Sequence, residues 1–161
     1  MSKTPLPAQG EGKRGEDGYL GYLLRQAANA YRGRVETALR DLRLTPPQFT
    51  ALTMLDAYPD HSGADLARVA LLTPQTMSTI LQNLEKAGLI RRRPNPDHGR
   101  KHQIELTETG QHMFREAKSR VYALETDLAQ GFSAAEQATL RRWLATVARG
   151  ASHSPSTSAI E

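Results

Sequence analysis

Between Pro74 and Ala87, the side chains of Gln75, Thr76, Ser78, Thr79, Gln82 and Asn83 alternate at helical spacing with Met77, Ile80, Leu81 and Leu84. A 3.6-residue period separates them into a polar face and an aliphatic face. The polar face carries one kind of chemistry. Gln and Asn amides match the N6 and N7 edge of adenine, and Ser and Thr hydroxyls serve most bases or a phosphate. A helix N-terminus adds free N–H groups that suit a phosphate. The bland alternative is an ordinary solvated face. Against it, the long Glu and Lys side chains that usually coat such faces are absent until Glu85 and Lys86.

A cluster of positive charge follows at once. Arg91, Arg92, Arg93, Arg100 and Lys101 lie within twelve residues that hold a single acid, Asp97, with His98 and His102 adding partial charge. Two prolines and Gly99 shape the intervening loop, which sets Arg100 and Lys101 where they can reach a minor groove. Asp97 can orient Arg100 or Arg91, although an exposed pair adds little stability. Charge runs are usually solubilising loops, so it is the neighbouring polar helix that favours nucleic acid here. Ser62, Thr73 and Pro74, at the starts of two successive helices, complete the set of candidate DNA-contacting residues.

These residues need elements to hold them. Leu20, Leu24, Ala27, Ala28, Tyr31, Val35 and Leu39 mark an amphipathic helix over 18–40, roughly 35 Å long. That length suggests a partner outside the subunit. Thr45-Pro46-Pro47-Gln48 is a capping box, with Phe49, Leu52 and Leu55 as the apolar face and Tyr58-Pro59 as the stop. Ser62 starts a further helix with Asp65 three residues on and Leu66, Val69 and Ala70 facing inward. Leu71-Leu72 links it to Thr73, the cap of the polar helix, whose C′ stop is Gly88. Residues 89–93 and 102–106 read as strands, with Ile104 and Leu106 on one side. Thr107 caps a helix over about 108–130 with Met113, Val121, Leu124 and Leu128 among its apolar positions. Gly131 breaks it, and Ser133-Ala134-Ala135-Glu136 caps a last helix carrying Leu140, Trp143, Leu144 and Val147. The order is four helices, a hairpin, and two helices.

The stretch from Ser62 to Gly110, and most specifically LEKAGLIRR and RKHQIELTETG, resembles the winged helix-turn-helix of the MarR family of bacterial transcription regulators. The resemblance implies a mainly α fold with a small β-hairpin wing, dimerising through its N- and C-terminal helices. It implies that 74–87 enters the major groove and that Arg100 enters the minor groove. It divides a single folded domain over 18–149 into a DNA-binding lobe at 45–107 and dimerisation helices at 18–40 and 108–149. It further implies double-stranded DNA, a second copy of the chain and a small phenolic or carboxylate effector as partners, and a repressor released from a pseudo-palindromic operator by that effector. In one respect the chain departs from the family. His98-Gly99-Arg100 stands where an acid commonly precedes the arginine by two, with Asp97 displaced.

Composition limits the other readings. The chain has 161 residues and a formal net charge of +4, which favours an anionic partner. It has no cysteine, which excludes disulfides, thiol sensing and thiolate metal ligation. No apolar run reaches the roughly 18 residues of a membrane span, and the opening stretch has no signal-peptide core, so a cytoplasmic location is expected. Residues 1–17 and 150–161 read as disordered tails. His98 and His102 are poorly placed for a metal, so no metal and no cofactor is expected. Neither a Ser–His–Asp nor a paired-carboxylate pattern stands out, and an enzyme is not expected. His112 faces an effector pocket or water. Tyr19, Tyr22 and Tyr31 read better as packing than as a ligand pocket, which leaves the effector residues unknown. The alternatives are a ligand-independent DNA-binding protein and a winged-helix protein–protein adaptor.

Overall fold

The computed structural model describes residues 6–8, 10–94 and 102–150. Its helices are α1 (Leu20–Leu39), α2 (Pro46–Ala57), α3 (Gly63–Val69), α4 (Pro74–Lys86), α5 (Glu108–Ala129) and α6 (Ala134–Gly150), and its strands are β1 (Ile90–Pro94) and β2 (His102–Leu106). Short 3-10 turns at Gly12–Arg14 and Arg40–Leu42 were not anticipated. The first lies in the stretch expected to be disordered, where Arg14 donates to the Pro7 carbonyl at 3.1 Å and the Lys13 ammonium lies 5.0 Å from the Tyr19 ring centre. Residues 1–5, 9 and 151–161 of the expected tails lie outside the described residues, as do residues 95–101, expected as the loop of the hairpin. The chain divides into two compact units after Leu124.

The caps fall where the sequence puts them. Thr45 and Gln48 close a reciprocal capping box on α2, with Gln48 N to Thr45 Oγ1 at 3.4 Å and Thr45 N to Gln48 Oε1 at 2.9 Å. Ser62 and Asp65 do the same for α3, and Thr73 accepts from the Thr76 amide at 3.1 Å. Satisfying these orphan amides contributes about 1 kcal/mol per cap.

The helices α3 and α4 end in the same way. Leu72 N reaches the Ala67 carbonyl and Leu71 N the Arg68 carbonyl; Leu89 N reaches the Leu84 carbonyl and Gly88 N the Glu85 carbonyl. Both are Schellman stops, which need a left-handed residue at C′. At α4 that residue is Gly88, φ +71°; at α3 it is Leu71, φ +54°. Left-handed backbone costs a residue with a Cβ about 1–2 kcal/mol.

The first unit closes around Leu39, Leu52, Leu66, Met77 and Leu84, all fully buried, with Ile90 and Ile104 of the hairpin and Phe114 of α5 joining them. The hairpin is antiparallel and pairs Ile90 with Leu106, Arg91 with Glu105, Arg92 with Ile104 and Arg93 with Gln103. Gly110 is required by a close approach. A Cβ there would lie 1.9 Å from the Leu89 carbonyl oxygen.

Two expectations about burial are corrected. Val69 is 45% exposed, because the short α3 buries its Leu66 and Ala67 side instead. Along α1 only Val35 and Leu39 are buried, and Leu20, Ala27 and Ala28 are exposed. In the second unit no residue of α6 is buried, and Leu140, Trp143, Leu144 and Val147 present an i, i+3, i+4, i+7 apolar stripe to the outside.

Candidate nucleic-acid interface

The α4 helix divides as its pattern requires. Met77, Ile80, Leu81 and Leu84 are buried, Gln75, Thr76, Thr79, Gln82 and Asn83 are exposed, and Ser78 is half-buried. The exposed side chains differ in what they can offer. The Thr73 and Thr76 hydroxyls lie 2.8 Å apart, and the Thr79 hydroxyl donates to the Gln75 carbonyl at 3.1 Å. These hydroxyls are already engaged in shaping the helix. The amides of Gln75, Gln82 and Asn83 make no hydrogen bond to another described residue, so the bidentate donor–acceptor pairs of this face are free. Thr73 and Ser62 serve first as caps. Ser62 Oγ lies 2.6 Å from Asp65 Oδ2, and this bond holds the Asp65 carboxyl below its ordinary value.

A cleft of about 290 Å³ opens where the starts of α3 and α4 meet the hairpin, and Ser62, Pro74, Ser78 and Arg92 line it. The cleft gathers residues from three segments of the chain, the cap of α3, the first turns of α4 and strand β1. The β1 arginines then split by strand alternation. Arg92 shares a sheet face with the buried Ile104 and pairs with Glu85 at the end of α4, 3.2 Å away. Arg91 and Arg93 lie on the other face, where Glu105 takes both, at 3.0 and 3.3 Å. On that face Gln103 also donates to Asp60, in the loop between α2 and α3. Arg91 is thus oriented by Glu105, the role weighed for Asp97. Asp97, His98, Arg100 and Lys101 lie outside the described residues.

Sequence reasoning missed Glu85 and Glu105 as partners. Counting the hairpin register outward from the loop would have set Glu105 opposite Arg91. His112 is exposed. On the flank of the first unit, α1 and α5 border a groove of about 460 Å³ lined by Ala30, Gly33, Arg34, Thr37, Ala38 and Leu124. Among the described residues no group of three or more His, Asp or Glu is arranged to hold a metal ion.

Known proteins resemble this chain in both sequence and fold. The sequence profile of the MarR family matches residues 44–101. The HTH-type transcriptional repressor Rv2887 of Mycobacterium tuberculosis is 37% identical over 129 residues, covering 80% of this chain and 93% of that protein. Its structure with DNA superposes with a TM-score of 0.65 at 36% identity, covering 81% of this chain and 98% of that one. Its complex with salicylic acid gives a TM-score of 0.64 at 36% identity, covering 82% and 98%. The transcriptional repressor CouR, bound to a 23-mer DNA duplex, gives a TM-score of 0.74 at 29% identity, covering 81% and 92%.

Proposed function

The chain belongs to the MarR family, and from that premise we propose that it is a homodimeric, DNA-binding transcriptional repressor released from its operator by a small aromatic carboxylate. The observation that carries this reading is the outer face of α4, where Gln75, Gln82 and Asn83 present unengaged amides beside a basic hairpin. Amides read base edges and arginines hold phosphates, so the two parts divide specificity and affinity between them. Arg100, by its match to the family's wing arginine, is assigned the minor groove.

The exposed stripe of α6 supports self-association, since an apolar row of this kind is rarely left to water. Two-fold symmetry then implies a pseudo-palindromic site with half-sites about 34 Å apart. The relative Rv2887 has been seen with salicylic acid. The groove beside α1 and α5 pairs small apolar walls with the Arg34 guanidinium, a combination that suits an aromatic carboxylate. An effector that binds better to a dimer with mis-spaced reading helices lowers DNA affinity by linkage.

The test is fluorescence anisotropy on duplex DNA from upstream of the chain's own gene, with and without salicylate. Tight, salt-dependent binding weakened by salicylate is expected. Binding that is indifferent to aromatic acids would favour a ligand-independent DNA-binding protein. Failure to bind this DNA or any duplex selected from a random library would favour an adaptor.

A further inference from the structure

The two Schellman stops of the helix-turn-helix pose a contrast within one small structure. At the end of α4 the left-handed position is filled by Gly88, which adopts it without penalty. At the end of α3 the same position is filled by Leu71, φ +54°, a residue that is 82% exposed. A leucine there strains the backbone, and burial within the subunit returns nothing for it. Its neighbours on either side, Ala70 and Leu72, are the residues of this turn that pack against the core. Strain left uncompensated inside a fold is a pointer to an external role.

Leu71 precedes Thr73, the cap of α4, by two residues, and Thr73, Pro74, Gln75 and Thr76 are all exposed. Val69, two residues earlier, is itself 45% exposed, so two exposed apolar residues precede a helix whose outer face is polar. DNA offers apolar surface in two forms, the thymine 5-methyl group in the major groove and the deoxyribose along its wall. We propose that Leu71 is an apolar DNA-contact residue, packing on thymine methyl or deoxyribose surface beside the N-terminal turn of α4. The inference rests on the DNA-binding reading above.

The test uses the full chain and a duplex selected by the wild-type protein from a random-sequence library. Leu71→Gly and Leu71→Asn both tolerate left-handed backbone and both remove the apolar group. Each is expected to weaken binding by roughly three- to tenfold, the scale of losing partial burial of a few methyl-sized groups, while the melting temperature holds or rises. Leu71→Met, which restores apolar bulk, is expected to keep most of the affinity. Replacing thymine by deoxyuridine in the duplex separates the two sources. A selective loss for wild type but not for Leu71→Gly identifies the methyl groups, and no change identifies the sugar wall.

Wild-type affinity in both Leu71→Gly and Leu71→Asn would overturn the inference and leave the DNA-binding reading intact, which Gln75→Ala checks on the same duplex. A loss traced by sedimentation to weakened self-association would overturn it in favour of a second copy of the chain. Recovery of no duplex at all would overturn both readings.

Discussion

Glu105 accepts a hydrogen bond from Arg91, Nε to Oε2 at 3.0 Å, directly across the hairpin from it. The same carboxylate takes Arg93 at 3.3 Å. Two cations of the basic hairpin are thus partly neutralised and held to one face. Exposed pairs of this kind contribute under about 1 kcal/mol to stability. Their effect on a polyanion is larger, because an acid beside two arginines repels phosphate. Glu105→Gln is expected to leave the melting temperature nearly unchanged and to tighten DNA binding on all sequences. A plot of log affinity against log salt checks this, and it should steepen by up to about one unit if a freed arginine takes a phosphate.

The free amides and the engaged hydroxyls of α4 separate two classes of substitution. Gln75→Ala is expected to cost about 1–3 kcal/mol on the preferred duplex and to relax base preference. Thr79→Ala removes a hydroxyl already bonded to the Gln75 carbonyl and should change specificity much less. Competition binding against single-base variants of the duplex distinguishes them. Equal losses on random DNA would demote Gln75 to a phosphate contact.

Both boundaries of the wing can be probed by stability. Thr107 donates to the Gly88 carbonyl at 2.7 Å while its oxygen accepts from the Gly110 amide at 3.0 Å, so one hydroxyl ties the end of α4 to the start of α5. Thr107→Val is expected to lose about 1–2 kcal/mol in urea unfolding, and Thr107→Ser very little. Gly110→Ala drives a methyl into the Leu89 carbonyl and should cost about 3 kcal/mol.

The cap residues Thr45, Ser62, Thr73 and Thr107 and the stop at Gly88 were legible because each acts within a few residues of itself. The inward stripe of α4 was legible for the same reason. Glu85 with Arg92, and Gln103 with Asp60, depend on how the hairpin docks, which no local pattern encodes. Val69 was misread because a seven-residue helix turns too few times to fix its inward face. Leu71 passed as a linker residue, since its positive φ goes with the stop in which its own amide bonds the Arg68 carbonyl and the Leu72 amide bonds the Ala67 carbonyl, and not with its residue type.

Acid sensitivity follows from Asp41. The Arg120 guanidinium, 2.9 Å away, holds this carboxyl below its ordinary value of 3.8, helped by a backbone hydrogen bond. A carboxyl with a lowered folded value protonates first in the unfolded chain. Its contribution is therefore complete once the pH is well above the ordinary value and vanishes as pH falls through the folded value. Asp41→Asn is expected to flatten the acid limb of stability, which denaturation midpoints between neutral and strongly acidic pH will show.

Charge on the open stripe of α6 tests its role in pairing. Leu144→Glu is expected to shift the protein toward monomer in sedimentation with helix content retained, since Leu144 is already 46% exposed and its removal leaves no internal cavity. A variant that sediments as wild type would place the contact elsewhere.

That stripe also carries an optical reporter. The chain has one tryptophan, Trp143, and it sits on the stripe 37% exposed. Indole emission shifts to the blue when water leaves its ring, so whatever covers α6 announces itself in intrinsic fluorescence. Dilution of unlabelled protein becomes a titration of its own assembly. Because the sequence has no thiol, a single engineered cysteine near α4 can carry an acceptor dye, and one sample then reports pairing and DNA engagement as two separate colours.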